Sequence, residues 1–202
     1  VERVITAAGL AFSVRGGVRP NPRLSFAREA VREAIDFEAD FLLAVGGGSV
    51  IDTAKALAHG TANPEIDVWD FWTGKAQLTK SLPVGVVLTL PAAGSETSDS
   101  AVLTSEEASE KMGLPSPFNR PAFAVLNPEL AFSLSSPQLA AGIADIIMHT
   151  LERYMTHTEG NEFTDLLAEA LLKNVVKHAP IVLAHHKDYD AMSEIMWCGT
   201  VS

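Results

Sequence analysis

Cysteine, basic side chains and long apolar runs are all scarce in this chain of 202 residues. Its single cysteine, Cys198, excludes an internal disulfide, and we therefore expect a reducing, cytoplasmic environment. Only 15 Lys and Arg stand against 25 Asp and Glu, for a formal net charge of −10, so no nucleic-acid partner is expected. The uncharged stretch from Ser81 to Ser95 is shorter than the roughly 20 residues of a membrane span, and no membrane partner is expected either.

Apolar residues are plentiful, at 47% of the chain, which is enough to build a packed core. From Ser25 to about Asp36 they recur every three or four residues, as on one face of a helix. Phe41 to Val45 is a continuous apolar run, typical of a parallel strand buried on both faces. A second helix begins at Ser49, and we expect Gly60 to end it as a left-handed cap.

A second buried strand is predicted from Val84 to Leu90, followed by a loop of small residues and hydroxyls. Shorter strands are predicted at Ala101 to Thr104 and Ala122 to Leu126, on either side of a polar segment. Strand patterns then cease, and apolar stripes with a helical period predict only helices: from Ser136, from Phe163 to about Ala179 near Pro180, and from Asp190 to Gly199.

The change of pattern near residue 135 predicts two regions. Residues 1–134 form an α/β region with a parallel sheet, and residues 135–202 form an all-helical region. The sequence opens on Val1 and stops at Ser202 inside an amphipathic stretch, and we expect it to be a piece of a longer protein.

The turn between the first buried strand and its helix is the first place where chemistry is indicated. Gly46, Gly47, Gly48 and Ser49 let a backbone approach an anion closely, at a helix N-terminus with free N–H groups. A phosphate or pyrophosphate would suit this turn, and a tight turn without a ligand is the alternative. The dinucleotide pattern G-x-G-x-x-G fails at Ile51, and no P-loop lysine follows.

The loop from Thr89 to Ser98 follows the next strand and belongs to the same sheet edge, where ligands of open α/β sheets collect. Glu96 in this loop and Asp99 directly after it are interpreted as solvated. Lys55 is interpreted as a surface charge, and Lys111 either as a surface lysine or as a group that reaches a ribose or phosphate. Cys198 has no basic neighbour in sequence that would make it a nucleophile.

Asp145 and His149 lie four residues apart on the first helix of the second region, so both side chains share one helix face. A carboxylate and an imidazole in this arrangement can hold one divalent metal ion. On spacing alone, a solvated aspartate beside a hydrogen-bonded histidine is the better interpretation, because two ligands do not complete a metal site.

Taken together, several segments resemble the iron-containing, or group III, alcohol dehydrogenase family, in particular its butanol-dehydrogenase-like aldehyde reductases. They are Pro20-Asn21-Pro22, GGGSVIDTAKALA from Gly46, LTLPAAGSETSDSAVLT from Leu88, AFAVLNPEL from Ala122 and AAGIADIIMHTLERYMT from Ala140. The resemblance implies a Rossmann-like, parallel-sheet dinucleotide-binding domain over residues 1–134, followed by the start of an all-helical metal-binding domain. The resemblance further implies that both domains are incomplete, with the family's first strand and its last helices, which carry two further histidine ligands, outside this sequence.

The resemblance also implies roles for individual residues toward NAD or NADP and a divalent iron or zinc ion. Gly47, Gly48 and Ser49 would contact the pyrophosphate, and Asp145 and His149 would be two of four metal ligands. The remaining cofactor contacts implied are the nicotinamide side for Thr89, Ser95 and Ser98, the adenosine end for Asn21, and the ribose for Lys111.

The function expected from this family is hydride transfer between NAD(P) and a small alcohol or aldehyde, in a homo-oligomer. A different class of function is the alternative: a nucleotide-binding module, without catalysis, whose helical region serves only packing or assembly. A polyol dehydrogenase or a dehydroquinate-synthase-like lyase would share the fold, but the LPAAGSE loop from Leu90 favours the alcohol dehydrogenases.

Overall fold

The computed structural model describes all 202 residues and contains seven α-helices and five β-strands. In chain order they are α1 (Glu2–Ala7), α2 (Leu24–Asp36), β1 (Leu42–Gly46), α3 (Gly48–Ala62), α4 (Val68–Trp72), β2 (Val84–Leu88), β3 (Ser100–Ser105), β4 (Glu110–Pro115), β5 (Phe123–Leu126), α5 (Ser136–Tyr154), α6 (Glu162–Ala184) and α7 (Tyr189–Val201). None of the helices combines the length and apolarity that crossing a bilayer requires.

Strands β1, β2 and β5 form one parallel sheet with β2 in the centre. In its register, Leu43 lies opposite Gly85, and Gly85 lies opposite Phe123. The apolar runs predicted this class of strand, because a parallel strand that is covered on both faces has no alternation of polar and apolar residues. The prediction of two parallel strands is therefore confirmed, and no strand follows β5.

Strands β3 and β4 form a separate antiparallel hairpin. The sequence predicted β3, but it gave no strand in the polar segment that contains β4. The reason is that β4 runs from Glu110 to Pro115 with much of its surface exposed, so few of its residues are apolar. The hairpin is fixed to the helices by Trp72, whose indole N–H donates to the carbonyl of Ala101 at 3.1 Å.

Helix α3 packs against both the sheet and α2, and the expected cap at Gly60 is wrong. Gly60 lies inside α3, and a Cβ atom added there would come within 2.6 Å of Cγ2 of Val31. Glycine is therefore needed here for close contact between helices rather than for a left-handed turn. The helix ends two residues later, and the side chain of Asn63 donates to the carbonyl of His59 at 2.7 Å.

The last three helices pack in sequence around a core that is continuous with one face of the sheet. The helix predicted to end near Pro180 instead continues to Ala184. Proline removes one backbone hydrogen bond, to the carbonyl of Val176, but Val176 is largely exposed and water can bond its carbonyl. This explains why α6 tolerates Pro180.

His59 is fully buried in α3 between two polar side chains. Its Nδ1 lies 2.8 Å from Oγ of Ser81, and its Nε2 lies 2.8 Å from Oδ1 of Asn119. Burial disfavours the charged imidazolium and lowers the pKa of His59 to about 4. His59 is therefore neutral in the folded protein at neutral pH.

This environment makes the stability of the fold depend on pH. His59 takes up a proton with a pKa near 6.5 in the unfolded chain but only near 4 in the folded chain, so stability falls as the pH drops through this window. When the pH is lowered from 7 to 5, we expect protonation of His59 in the unfolded chain to decrease the free energy of unfolding by about 2 kcal/mol. Urea unfolding at both pH values measures it. The matched His59→Gln variant should lose much less over the same interval, and an equal loss in both proteins would contradict the assignment.

Candidate functional site

The glycine turn presents a helix N-terminus with free donors. Gly47 is the N-cap of α3, and its carbonyl accepts from the N–H groups of Val50 at 2.9 Å and Ile51 at 3.1 Å. The N–H groups of Gly48 and Ser49 precede these and have no acceptor within the helix. Together with the positive end of the helix dipole, they form a site suited to an anion.

The loop from Thr89 to Ser98 stands opposite this turn, as its place at the same sheet edge predicted. The N–H of Thr89 donates to the carbonyl of Gly46 at 3.1 Å. A Cβ atom added to Gly48 would have one neighbouring atom within 4 Å, which is Cβ of Ser95 at 3.9 Å. Open space therefore lies at Gly48, bordered by the helix end and Ser95. This space is where a pyrophosphate would fit.

Lys55 was predicted to be a surface charge, and this prediction is wrong. The residue is 0% exposed. Its ammonium donates to the carbonyl oxygens of Ser95 at 2.8 Å, Ser98 at 3.2 Å and Ser100 at 2.7 Å, and to Oγ of Ser95 at 3.2 Å. Burial lowers the pKa of Lys55 to about 8, although the nearby carboxylate of Asp52 opposes this shift.

Asp52, one turn earlier on α3, binds the same loop. Its Oδ1 accepts from Oγ of Ser95 at 2.6 Å, and its Oδ2 accepts from the N–H of Val102 at 2.9 Å. Burial raises the pKa of this carboxyl, while Ser95 and Lys55 act in the opposite direction. Oδ1 lies 3.8 Å from Nζ of Lys55, so the two charges also form an ion pair.

A sequence signal for these residues exists. Asp52, Lys55 and His59 share one face of α3, and the rest of that helix is almost entirely small or apolar. A helix that is apolar on all sides is buried, and its few polar residues must then have internal partners. The sequence could therefore have indicated that Lys55 is buried, but not what it binds.

Glu96 and Asp99 differ from each other, although both were interpreted as solvated. Glu96 is only 3% exposed, and its Oε1 accepts from Oγ1 of Thr200 at 2.7 Å. The interpretation is wrong for Glu96, because α7 folds back over the loop. Asp99 is half exposed and pairs with Arg120 at 2.9 Å, as expected of a surface carboxylate.

Small residues let the loop touch the helical region directly. A Cβ atom added to Gly142 of α5 would overlap the carbonyl oxygen of Pro91. One added to Gly199 of α7 would lie 2.8 Å from the carbonyl of Ala92. Gly94 has a positive φ of 69°, and a Cβ there would meet the carbonyl of Gly199 at 2.8 Å. The loop is therefore held between α3 on one side and α5 and α7 on the other.

Of the remaining predicted cofactor residues, Ser98 lies in the loop, where its Oγ accepts from the N–H of Ser100 at 3.0 Å. Asn21 and Lys111 come together in a second group, with Nζ of Lys111 donating to Oδ1 of Asn21 at 3.1 Å. Asn21 has a positive φ of 58°, which an asparagine tolerates. Lys111 belongs to β4 of the hairpin, and the pair has no hydrogen bond to the glycine turn.

Asp145 and His149 lie on α5, one and two turns after Gly142. Oδ1 of Asp145 is 3.7 Å from Nε2 of His149, and the two side chains are 47% and 41% exposed. Two donors of one tetrahedral ion stand roughly 3.4 Å apart, so this pair fits a shared divalent metal with little adjustment. No third His, Cys, Asp or Glu joins them in a metal-binding group.

Cys198 is buried in α7, as expected of a cysteine without a nucleophilic role. Its Sγ accepts from Nδ2 of Asn174 at 3.3 Å, and burial raises the pKa of the thiol. A raised pKa keeps the thiol protonated and unreactive at neutral pH.

This chain resembles known proteins along nearly its whole length. The family model for iron-containing alcohol dehydrogenase matches residues 1–128, and the model for the C-terminal region of the Fe-containing alcohol dehydrogenase family matches residues 139–202. NADH-dependent butanol dehydrogenase A of Clostridium acetobutylicum is 36% identical over 199 residues, which cover 98% of this chain and 51% of that protein. The NADPH-dependent aldehyde reductase YqhD of Escherichia coli is 37% identical over 187 residues, covering 92% of this chain and 48% of the relative.

A solved structure shows the same fold. NADH-dependent butanol dehydrogenase A of Thermotoga maritima superposes with a TM-score of 0.95 at 36% identity, over 99% of this chain and 50% of that one. The chain thus spans about half the length of the relatives it matches. With both family models matched in order, and with the parallel sheet followed by helices only, the chain belongs to the iron-containing alcohol dehydrogenase family.

Proposed function

We propose that this chain is the cofactor-binding part, and the beginning of the metal-binding part, of a longer enzyme that transfers hydride between NAD(P) and a small alcohol or aldehyde. The observation that carries the proposal is the shared loop. Residues 89–98 face the free helix end at Gly48 and also touch α5, the helix that bears Asp145 and His149. A cofactor and a metal ion would therefore meet at one loop.

The cofactor would bind along the carboxyl edge of the sheet. The N–H groups of Gly48 and Ser49 would donate to the pyrophosphate, and the absence of a side chain at Gly48 leaves room for it. Thr89, Ser95 and Ser98 would line the nicotinamide side. Asn21 and Lys111, already hydrogen-bonded to each other, would contact the adenosine end and the ribose.

The metal ion would be held by Asp145 and His149 together with ligands from a part of the enzyme outside this sequence. A divalent iron or zinc ion bound there would polarise the carbonyl oxygen of an aldehyde, or lower the pKa of an alcohol. The residues of this chain would position the nicotinamide and keep the reacting carbon next to it. No side-chain nucleophile is needed, which agrees with the buried, protonated Cys198.

Relatives named as butanol dehydrogenases and as an aldehyde reductase support the substrate class. The division at residue 135, the homo-oligomer and the cytoplasmic location remain predictions. A nucleotide-binding module without catalysis is the alternative, and the metal content of the whole protein separates the two.

A change at Gly48 tests the cofactor site. Gly48→Val places a branched side chain in the open space next to Ser95, so we expect dinucleotide binding to weaken at least tenfold, which corresponds to about 1.4 kcal/mol. Fluorescence titration with NADH and NADPH in the whole protein measures it. Gly113→Ala is the matched control. A Cβ atom at Gly113 also has room, since its nearest neighbour is Oγ of Ser100 at 4.0 Å, but Gly113 lies in the hairpin, away from the glycine turn. Unchanged affinity in a folded Gly48→Val protein would contradict the proposal.

A change at His149 tests the metal site. His149→Ala removes one of the two donors on α5, so we expect the whole protein to lose both bound metal and hydride transfer while dinucleotide affinity stays within about twofold. Elemental analysis, turnover of a small aldehyde and cofactor titration provide the three measurements. His186→Ala is the control, since this partly exposed histidine is hydrogen-bonded to Ser136, at 3.2 Å, and lies outside the proposed metal site. Metal retained at full stoichiometry in His149→Ala would show that His149 is not a ligand.

A further inference from the structure

Two charged residues on the buried face of α3 have no part in the chemistry proposed above. Lys55 is completely buried, and the side chain of Asp52 is 13% exposed. Neither side chain exposes enough surface to bind a substrate. The polar atoms of both bind the segment from Ser95 to Val102. Their partners therefore indicate what they do.

The ammonium of Lys55 fixes three peptide groups at once. The carbonyl oxygens of Ser95, Ser98 and Ser100 all point at Nζ, with donor–acceptor distances between 2.7 and 3.2 Å. A carbonyl held by a charged donor is bound more firmly than one held by a neutral donor. This interaction contributes to the course of the backbone through a segment whose own backbone hydrogen bonds before β3 run from the N–H groups of Thr97 and Ser98 to the carbonyl of Gly94.

The carboxylate of Asp52 holds both ends of the same segment. It accepts from Oγ of Ser95 at one end and from the N–H of Val102 at the other. Asp52 lies one turn after Gly48, so the helix that presents the free N–H groups also carries the anchors of the opposing loop. The short, rigid path along α3 then sets the distance between the glycine turn and Ser95.

Stability alone gives little reason for this arrangement. Burying an ion pair removes two charges from water, and well-packed apolar side chains of similar volume often stabilise a core as well or better. The gain from Lys55 and Asp52 must therefore be sought in the loop conformation that they impose.

We propose that Lys55 and Asp52 are positioning residues for the nicotinamide end of the cofactor. From one face of α3 they hold Ser95 and Ser98 at the place where the nicotinamide is received, while the pyrophosphate is held by the N–H groups of the glycine turn, to which neither side chain is hydrogen-bonded. This inference rests on the proposed function, since it assumes that NADH or NADPH is the ligand.

The test compares ligands with and without the nicotinamide ring. Lys55→Met keeps the length and the apolar stem of the side chain but removes every donor. In the whole protein, we expect it to weaken NADH or NADPH binding about tenfold and to remove the enhancement of nicotinamide fluorescence on binding. Affinity for ADP-ribose, which lacks the nicotinamide, should change by less than about threefold. His59→Gln is the matched control, because it is buried one turn further along α3 but contacts Ser81 and Asn119 instead.

A second variant and a measurement without ligand guard against misfolding. Asp52→Asn keeps the shape of the side chain. It should also weaken NADH or NADPH binding more than ADP-ribose binding, but by a smaller factor than Lys55→Met. Hydrogen–deuterium exchange of the ligand-free protein should become faster in residues 94–102 of both variants, but not in β1 or β2. Equal loss of NADH and ADP-ribose affinity, or unchanged exchange in the loop, would overturn the positioning role. If the unmodified protein bound neither NADH, NADPH nor ADP-ribose, the proposed function itself would be wrong, and the inference would be lost with it.

Discussion

The ammonium group of Lys55 must be hydrogen-bonded inside the protein, and the segment after β2 is folded around that requirement. Three carbonyl groups and one hydroxyl surround Nζ, and Asp52 supplies the opposite charge. An ammonium left unpaired at this depth would cost several kcal/mol, so the loop cannot take another path without destabilising the chain. Because α3 also begins at the glycine turn, one helix determines both sides of the open space at Gly48.

The other side of the loop is determined by the absence of side chains. Gly142 and Gly199 bring the backbones of α5 and α7 into contact with Pro91 and Ala92. Protein interiors are close-packed, so an added methyl group at either glycine would push a helix or the loop away. The position of α5 relative to the loop, and therefore of Asp145 and His149 relative to the candidate cofactor site, depends on these contacts.

The candidate site thus combines two kinds of constraint. Charge holds the loop to the α/β part, where Lys55 and Asp52 contribute strong, directed bonds. Close backbone packing, together with the hydrogen bond from Thr200 to the buried Glu96, holds the same loop to the helices. A loop held from both sides can place a cofactor and a metal ion at a fixed separation, which the proposed hydride transfer requires.

Much of this protein was determined by its sequence alone. The apolar runs of β1 and β2, the helical stripe of α5 and the glycine turn follow from local rules of burial and backbone freedom, and the ordered motifs identified the family. Only the tertiary structure decided what the buried Lys55 binds, that Glu96 is buried, that Gly60 serves helix packing and that Glu110–Pro115 forms a strand. The physical reason is that burial of a charge depends on partners distant in sequence. Lys55 is bound by residues 40 to 45 positions away, and Glu96 is covered by a residue 104 positions away, so no local pattern can report either contact.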